Sequence, residues 1–468
     1  MPIAFVPWLV DALSRRSLRW MYREIHYVGR ERIPATGAVL LFGNHPNDLP
    51  DVLAGFYTTR RPVRYIATIS ATTMPLAGAV YRGLGVIPVA RARDVRKMRE
   101  RGMDLTAINQ AAAGAVHDAF VAGTVVGVFP EGGLHDHAHI GKTRPGVPMM
   151  VLDSFYDGAI SGRIADITMV PFGVQYEAPR EPRSDLTVVI GAPVSLREWQ
   201  AAQAEPSAPA LGEQLHQALA AVTRNSSSWP NAAARDRLIA AVAALSASPD
   251  EPILASTASV QHRCAQLVEG RDPSQAGELP HPDGPHWRTL ADPLAEWVER
   301  LGGKPTSARD TARVLDAAGA ANPQALWPAI YIVTLHAPLA LVGSVIHGPL
   351  FRVVWALARR MAEVRTDVLT RAIVPGLHLI FLGYLLLGGL MATVAHWCGW
   401  SPWWALPPGL LLPRLGDLTI RWHDAVRALR LRRRVRALSA DDRSAMLVAA
   451  ERVRAAWTSL VSSSPVSL

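Results

Sequence analysis

The stretch LLFGNHPNDLPDVL, residues 40–53, decides how the rest of the chain is read. An apolar run over 39–42 ends in a tight polar turn that carries His45 and, six residues further on, Asp51. Apolar runs commonly stop at Gly, Asn and Pro, so the turn alone says little. A histidine followed by a carboxylate at the end of a buried strand is where a general base and its orienting group would sit. By itself the pair reads more readily as a cap or a surface pair, so its meaning depends on its surroundings.

Working outward, short apolar, β-branched runs alternate with helical patterns from about residue 27 to 196. Strands are expected at 38–43, 63–68, 85–90, 124–130, 167–176 and 186–194, and a helix rich in Ala, Met and Leu at 94–122. The alternation predicts an α/β fold, a central mixed sheet flanked by helices. Beyond 196 the composition shifts to Ala, Gln, Ser and charged residues, with helical periodicity at 211–225 and 233–247 and a Pro/Gly-rich loop at 269–287. No internal repeat is visible.

Two long uncharged runs follow. Residues 326–351 hold Pro328, Pro338 and Pro349, and residues 372–398 are mostly Leu, Gly, Ile and Val. Each exceeds the roughly 20 residues that cross a bilayer core. A shorter apolar run, 403–413, follows the Trp-rich WCGWSPWW, which reads as an interfacial belt. Arg352, Arg359, Arg360, Arg365 and Arg371 separate the long runs, and eight arginines between Arg414 and Arg436 begin the tail. The positive-inside rule puts both basic segments in the cytoplasm. That favours a hairpin over 372–413 with its Trp-rich turn outward and the Pro-broken first run re-entrant. Two ordinary spans, 326–351 and 372–398, are the alternative. The expected organisation is an N-terminal helix (1–24), the α/β domain (25–196), a helical extension (197–325), a membrane region (326–413) and a basic cytoplasmic helical tail (414–468).

Composition agrees with this. Of 468 residues, 49% are hydrophobic and only 19% charged, fewer charges than an average soluble chain carries. The 48 Lys and Arg against 39 Asp and Glu give +9, which favours an anionic partner. Helix-turn-helix, zinc-finger and RRM signatures are missing, so lipid headgroups are expected and nucleic acid is not. Two cysteines, Cys264 and Cys398, argue against a disulfide framework or a cysteine metal site. The opening MPIAFVPWLVDALSRRSLRWMYREIHYVGRERIP is not a signal peptide, because its apolar part precedes its basic part. At helical spacing Phe5, Leu9, Leu13 and Trp20 form a stripe, interrupted by Arg16 and flanked by Arg15, Arg19 and Arg23, with Pro7 in the first turn. Such a helix lies in a membrane interface or packs on its own domain, and the sequence leaves both open.

Three further blocks carry chemistry. In GLGVIPVARARD, Gly85 permits a close turn and Arg91 emerges at a strand end, where a guanidinium can fork onto a phosphate. In GVFPEGGLHDHAHIGKTRPGV, Glu131 and the pair Gly132 and Gly133 let backbone N–H groups approach a ligand, and Lys142 and Arg144 follow as a second basic pair. His135, His137 and His139 alternate there, but no Cys or carboxylate cluster completes a site, so no metal is expected. In MVPFGVQY, Pro171 interrupts a buried strand. Taken singly, these arginines and the lysine are solvated cations and Pro171 is core.

In order and spacing, NHPNDLPD, GVIPVAR, FPEGG and VPFGV resemble the four blocks of the glycerophospholipid acyltransferase superfamily, membrane enzymes that acylate glycerol-3-phosphate and 1-acylglycerol-3-phosphate. The likeness covers about residues 25–196 and is closest to the branch that acylates glycerol-3-phosphate or dihydroxyacetone phosphate and carries a hydrophobic hairpin. It implies His45 as catalytic base with Asp51 as partner, and Gly85 and Arg91 at the acceptor phosphate. Glu131 and Gly132 would order the acceptor site, Lys142 and Arg144 would assist with phosphate, and Pro171 would help line the acyl site. The implied partners are membrane lipids, an acyl donor and a phosphorylated glycerol acceptor, with acyl-CoA or acyl-carrier protein as co-substrate and no cofactor. The implied location is the cytoplasmic membrane, with the catalytic domain on the cytoplasmic side. The superfamily at large has four residues between His and Asp where this chain has five, and Leu134 stands where a serine often follows. Asp48, three residues from His45, is a second candidate for the orienting carboxylate. A non-catalytic membrane-binding protein of the same fold, a lysophospholipid acyltransferase and a hydrolase are the competing readings.

Overall fold

The computed structural model describes residues 5–72, 81–91, 102, 104–179, 181–226, 228–246, 260, 289–319, 327–362 and 368–462. Contacts divide the chain into two compact units. The first is 1–176 with 186–232 and 261–279, and the second is 177–185, 233–260 and 280–468.

The first unit is built on a sheet of eight strands: β1 (Tyr22–Val28), β2 (Ala38–Gly43), β3 (Val63–Thr68), β4 (Ile87–Val89), β5 (Val125–Val128), β6 (Ile167–Tyr176), β7 (Ser184–Ile190) and β8 (Val194–Ser195). The strand order is β1-β7-β6-β2-β5-β3-β4, with β8 also on β6. Strands β6, β2, β5, β3 and β4 are parallel to their neighbours, and β7 and β8 run antiparallel to β6. This is the expected mixed α/β sheet. Strand β2 lies at its centre and is buried throughout, as a parallel strand covered on both faces must be.

Helices α1 (Phe5–Met21), α2 (Leu49–Phe56), α3 (Leu105–Val121), α4 (Gly146–Ile160), α5 (Leu196–Ala201) and α6 (Ala208–Ala220) complete the unit. Leu40 and Phe42 of β2, Val126 of β5 and Met169 of β6 pack with Val116 and Phe120 of α3, Val151 and Phe155 of α4, and Leu215 of α6. Each such side chain contributes about 1.5–3 kcal/mol by leaving water.

Several elements differ from the sequence reading. The helix expected over 94–122 begins only at Leu105, because Asp104 is extended and its carboxylate caps the N–H groups of Thr106 and Ala107; residues 92–101 and 103 lie outside the described residues. The first helix stops at Met21, and Arg23, read as a flank of the apolar stripe, lies on β1. The buried face of α1 is Ser17 and Leu18, whereas Leu13 of the expected stripe is exposed. Asp11 accepts from Arg15 and from the hydroxyl of Tyr57, at the end of α2, and the Arg15 guanidinium lies 4.5 Å from the Tyr57 ring. One face of α1 therefore docks on its own domain while Leu13 stays outward.

The second unit is helical: most of α7 (Trp229–Ser246), then α8 (Asp292–Arg300), α9 (Ala308–Ala318), α10 (Trp327–Leu335), α11 (Ala337–Met361), α12 (Val368–Trp397), α13 (Leu406–Arg436) and α14 (Ala440–Ser462). The Pro/Gly-rich stretch 269–287 lies outside the described residues. The first apolar run is broken as its prolines suggest, at His336, with Pro338 opening α11. That helix then continues through Arg352, Arg359 and Arg360, so much of the expected basic linker is helical. Likewise α13 runs past Pro413 to Arg436 without a boundary at the end of the expected hairpin. Residues Ala337–Met361 and His378–Trp397 are long and apolar enough to cross a membrane, and only 17% and 6% of their apolar windows are buried. The core helix of a soluble protein would be mostly covered, so this exposure suggests association with a membrane.

Candidate functional site

Parallel strands β2 and β5 are neighbours in register, Phe42 opposite Val128, so the turns that follow them leave the same edge of the sheet. In open α/β sheets ligands collect at this carboxyl edge. His45 leaves from β2, Phe129 to Gly132 from β5, and Arg91 from just beyond β4.

The turn after β2 is fixed from several sides. The ring of Phe172 fills the space a side chain would need at residue 43, which explains Gly43. The Asn44 amide bonds both ways to the backbone of Val174 on β6, donating to its carbonyl at 3.1 Å and accepting from its N–H at 2.7 Å. The His45 ring stacks on Phe129 with centroids 4.1 Å apart and planes within 10°, and Phe129 stacks in turn on Tyr65. Buried aromatic rings on one side and hydrogen bonds on the other leave the imidazole few rotamers.

His45 Nδ1 lies 3.0 Å from Asp51 Oδ2, and Asp51 is fully buried in the first turn of α2. Asp51 Oδ2 also accepts from the Asn47 N–H at 2.6 Å, and Oδ1 accepts from the Tyr176 hydroxyl. An ionised Asp51 can only accept, so His45 carries its proton on Nδ1 and keeps the Nε2 lone pair outward. Asp48 Oδ1 is 4.0 Å from Nε2, beyond hydrogen-bond length, and its side chain is 41% exposed. Geometry therefore selects Asp51 over Asp48 as the orienting carboxylate. Burial alone would lower the His45 pKa, but the hydrogen bond and charge of Asp51, helped by Asp48 and Glu131, outweigh it and raise it above 6.5. Burial pushes the Asp51 carboxyl up against the opposing pull of His45, Tyr176 and Asn47. Burial beside Asp51 holds the Tyr176 phenol well above 10, so it stays protonated and donates.

The Phe-Pro-Glu-Gly turn meets this pair through Glu131. Its Oε1 accepts from the His45 backbone N–H at 2.9 Å, and its Oε2 accepts from the Gly141 N–H and contacts His135 Nε2. Burial would raise this carboxyl, yet His135 and the two N–H groups together hold it below 4.5. His135 Nδ1 accepts from the His137 N–H at 3.3 Å, so its proton sits on Nε2, facing Glu131. His135, His137 and His139 form a stack of rings. Among the described residues no group of three or more His, Cys, Asp or Glu is arranged to hold a metal.

Two guanidinium groups converge on the same turn. Arg91 Nη1 lies 3.4 Å from the Gly132 carbonyl, and Arg144 Nε lies 3.4 Å from that of Glu131. Gly132 has φ +72°, and a Cβ there would come within 2.9 Å of Arg144 Cγ. Lys142 is exposed on the loop between. Gly85, also left-handed, gives its carbonyl to Arg64 Nε at 3.0 Å and so shapes the approach to β4. Pro171 is buried in β6 in register with Phe42, its ring against Gly191. The structure thus joins His45, Asp51, Glu131, Gly132, Arg91 and Arg144 in one cluster, and sets Lys142 on its rim and Pro171 in the sheet.

Sequence reasoning missed Asn44, Phe129 and Tyr176 as parts of this cluster. Asn44 stood inside the stretch read first, but Tyr176 is 125 residues from Asp51 and only the strand pairing brings them together.

Residues 24–175 match the family model described as Acyltransferase. The match spans about a third of the chain. Every residue of the His45 cluster lies within it except Tyr176, which follows its last residue. Among solved structures, the chain is similar to the 1-acyl-sn-glycerophosphate acyltransferase of Thermotoga maritima, at 16% identity and a TM-score of 0.32, over 46% of this chain and 78% of that one. No curated protein matches the chain.

Proposed function

We propose that the chain is a membrane-bound O-acyltransferase of phospholipid synthesis. It moves a fatty acyl group from acyl-CoA or acyl-carrier protein to a hydroxyl of glycerol-3-phosphate or a related phosphorylated acceptor. The observation that carries this reading is the buried pairing of His45 Nδ1 with Asp51, which leaves Nε2 outward beside a turn held by two arginines.

In this reading His45 Nε2 takes the proton of the acceptor hydroxyl as its oxygen attacks the thioester carbonyl. Asp51 steadies the imidazolium. The tetrahedral intermediate collapses with cleavage of the C–S bond, and the proton passes from His45 to the departing thiolate. Arg91 and Arg144, with Lys142 at the rim, hold the acceptor phosphate, and Glu131 fixes the height of His45 above them. The chain contains no Gly-x-Ser-x-Gly elbow, in keeping with direct transfer. In this reading the enzyme sits at the cytoplasmic membrane with its basic segments and catalytic domain on the cytoplasmic side, and the two long, exposed apolar helices support the membrane association.

The test is an assay of the full chain in detergent with labelled acyl-CoA or acyl-carrier protein. The acceptors are glycerol-3-phosphate, dihydroxyacetone phosphate, 1-acylglycerol-3-phosphate and other lysolipids. Acyl transfer to a phosphorylated acceptor, abolished in His45→Ala, is expected. Free fatty acid released without acceptor, or no turnover with any pair, would overturn the proposal.

A further inference from the structure

The last turn of β6 lies alongside the His45 turn for a reason that its packing alone does not explain. Val174 exchanges two hydrogen bonds with the Asn44 side chain, and two residues on, the buried Tyr176 gives its hydroxyl to Asp51 Oδ1. β6 extends past the end of β2, whose last residue, Gly43, is in register with Phe172. The extra length is what reaches both ends of the turn.

From this geometry we infer that Tyr176 is a positioning residue for the acyl-transfer base, acting through Asp51, and that the end of β6 is the jig on which the His45 turn is set. Asp51 has two oxygens and three donors. Tyr176 occupies Oδ1, so Oδ2 is left for the Asn47 N–H and for His45 Nδ1. Without the phenol the carboxylate is free to rotate about χ2 and share its oxygens differently, and the imidazole plane follows. The same contact separates the two nearby carboxylates: Asp51 is anchored to the sheet, and Asp48 stands on the exposed side of the turn. The ring of Tyr176 packs 5.8 Å from that of Tyr22 on β1, so the hydroxyl is aimed by the sheet itself. The inference rests on the acyltransferase reading for its consequence in turnover, but not for its geometry.

The test is Tyr176→Phe in the full chain, which keeps the ring and removes one oxygen. His45 is followed by NMR titration of 15N-histidine-labelled protein, assigned with His45→Gln, and acyl transfer is followed against pH. Losing one donor makes Asp51 a stronger base, so the pair binds its proton more tightly whichever atom holds it. The expected result is an upward move of the His45 titration and of the acid limb of kcat by about one pH unit, with kcat about tenfold lower. In an Asp51→Asn background the same change should no longer move the titration. An unmoved His45 titration in Tyr176→Phe, or an equal shift in the Asp51→Asn background, would overturn the inference. Failure of wild-type turnover with every acceptor would overturn the acyltransferase reading and leave the titration to judge Tyr176.

Discussion

The His45 backbone N–H donates to Glu131 Oε1 across 86 residues of sequence, so the acidic residue of the second turn holds the basic residue of the first by its main chain. Glu131 is therefore a staple between two loops. Glu131→Gln keeps the acceptor for His45 but turns an amide N–H₂ toward two donors, Gly141 N–H and His135. The expected cost is about 1–3 kcal/mol of stability, read as a lower Tm. Because the Glu131 carboxyl is held below 4.5 in the folded chain, its stabilisation is complete above that value and is lost as pH falls through the folded pKa. The wild type should lose more stability than Glu131→Gln between pH 5 and pH 3, and equal losses would remove Glu131 from this role.

His45 must be neutral to accept a proton, and its folded pKa lies above 6.5. Turnover should therefore rise with pH through a midpoint above 6.5. The stability held in the protonated pair runs oppositely, present below 6.5 and lost as pH rises through the folded pKa. Asp51→Asn removes the main charge behind the shift and should lower the midpoint while cutting kcat at least about 100-fold. Asp48→Asn, 4.0 Å away and exposed, should change kcat less than about threefold. A larger effect at Asp48 than at Asp51 would reverse the assignment.

Gly132 is left-handed and pressed against the Arg144 side chain. Gly132→Ala should cost about 1–2 kcal/mol of local strain and displace Arg144. The acceptor KM should then rise about three- to tenfold with kcat nearly kept, and Arg144→Ala should give the same pattern. A change in kcat alone would show that the turn serves the chemical step and not the binding of phosphate.

Inside α11, His347 Nδ1 donates to the Gly343 carbonyl at 2.9 Å, which leaves Nε2 to accept from the Tyr384 hydroxyl of α12, also at 2.9 Å. The bond ties together the two helices that are long and apolar enough to cross a membrane. A His347→Leu, Tyr384→Phe cycle in bilayer-like detergent should return a coupling of about 0.6 kcal/mol and no more than about 1.7. Zero coupling would mean that the helices are held by packing alone.

Much of this was legible because the strand runs are apolar and several of them start just after a Gly or Pro, at Gly37, Pro62 and Gly123. The runs at 38–43, 63–68 and 167–176 match β2, β3 and β6 residue for residue. Strand β1 was hidden because YREIHYV continues the basic, aromatic pattern of α1, and the switch from helix to extended chain is imposed by pairing with β7. The chemical residues were readable where each stands in a local motif. The contacts that orient them were not, since Glu131 to His45, Val174 to Asn44 and Tyr176 to Asp51 all cross between strands.

Helix α13 runs unbroken for 31 residues, a rod about 46 Å long. Its first turns are apolar and exposed at Leu406, Leu410 and Leu411, while further along Arg427 grips the buried carboxylate of Asp310 and Arg432 the half-exposed one of Asp316, both on α9. The two ion pairs tie the far half of this rod to α9, so a displacement of α13 along its axis is handed directly to α9.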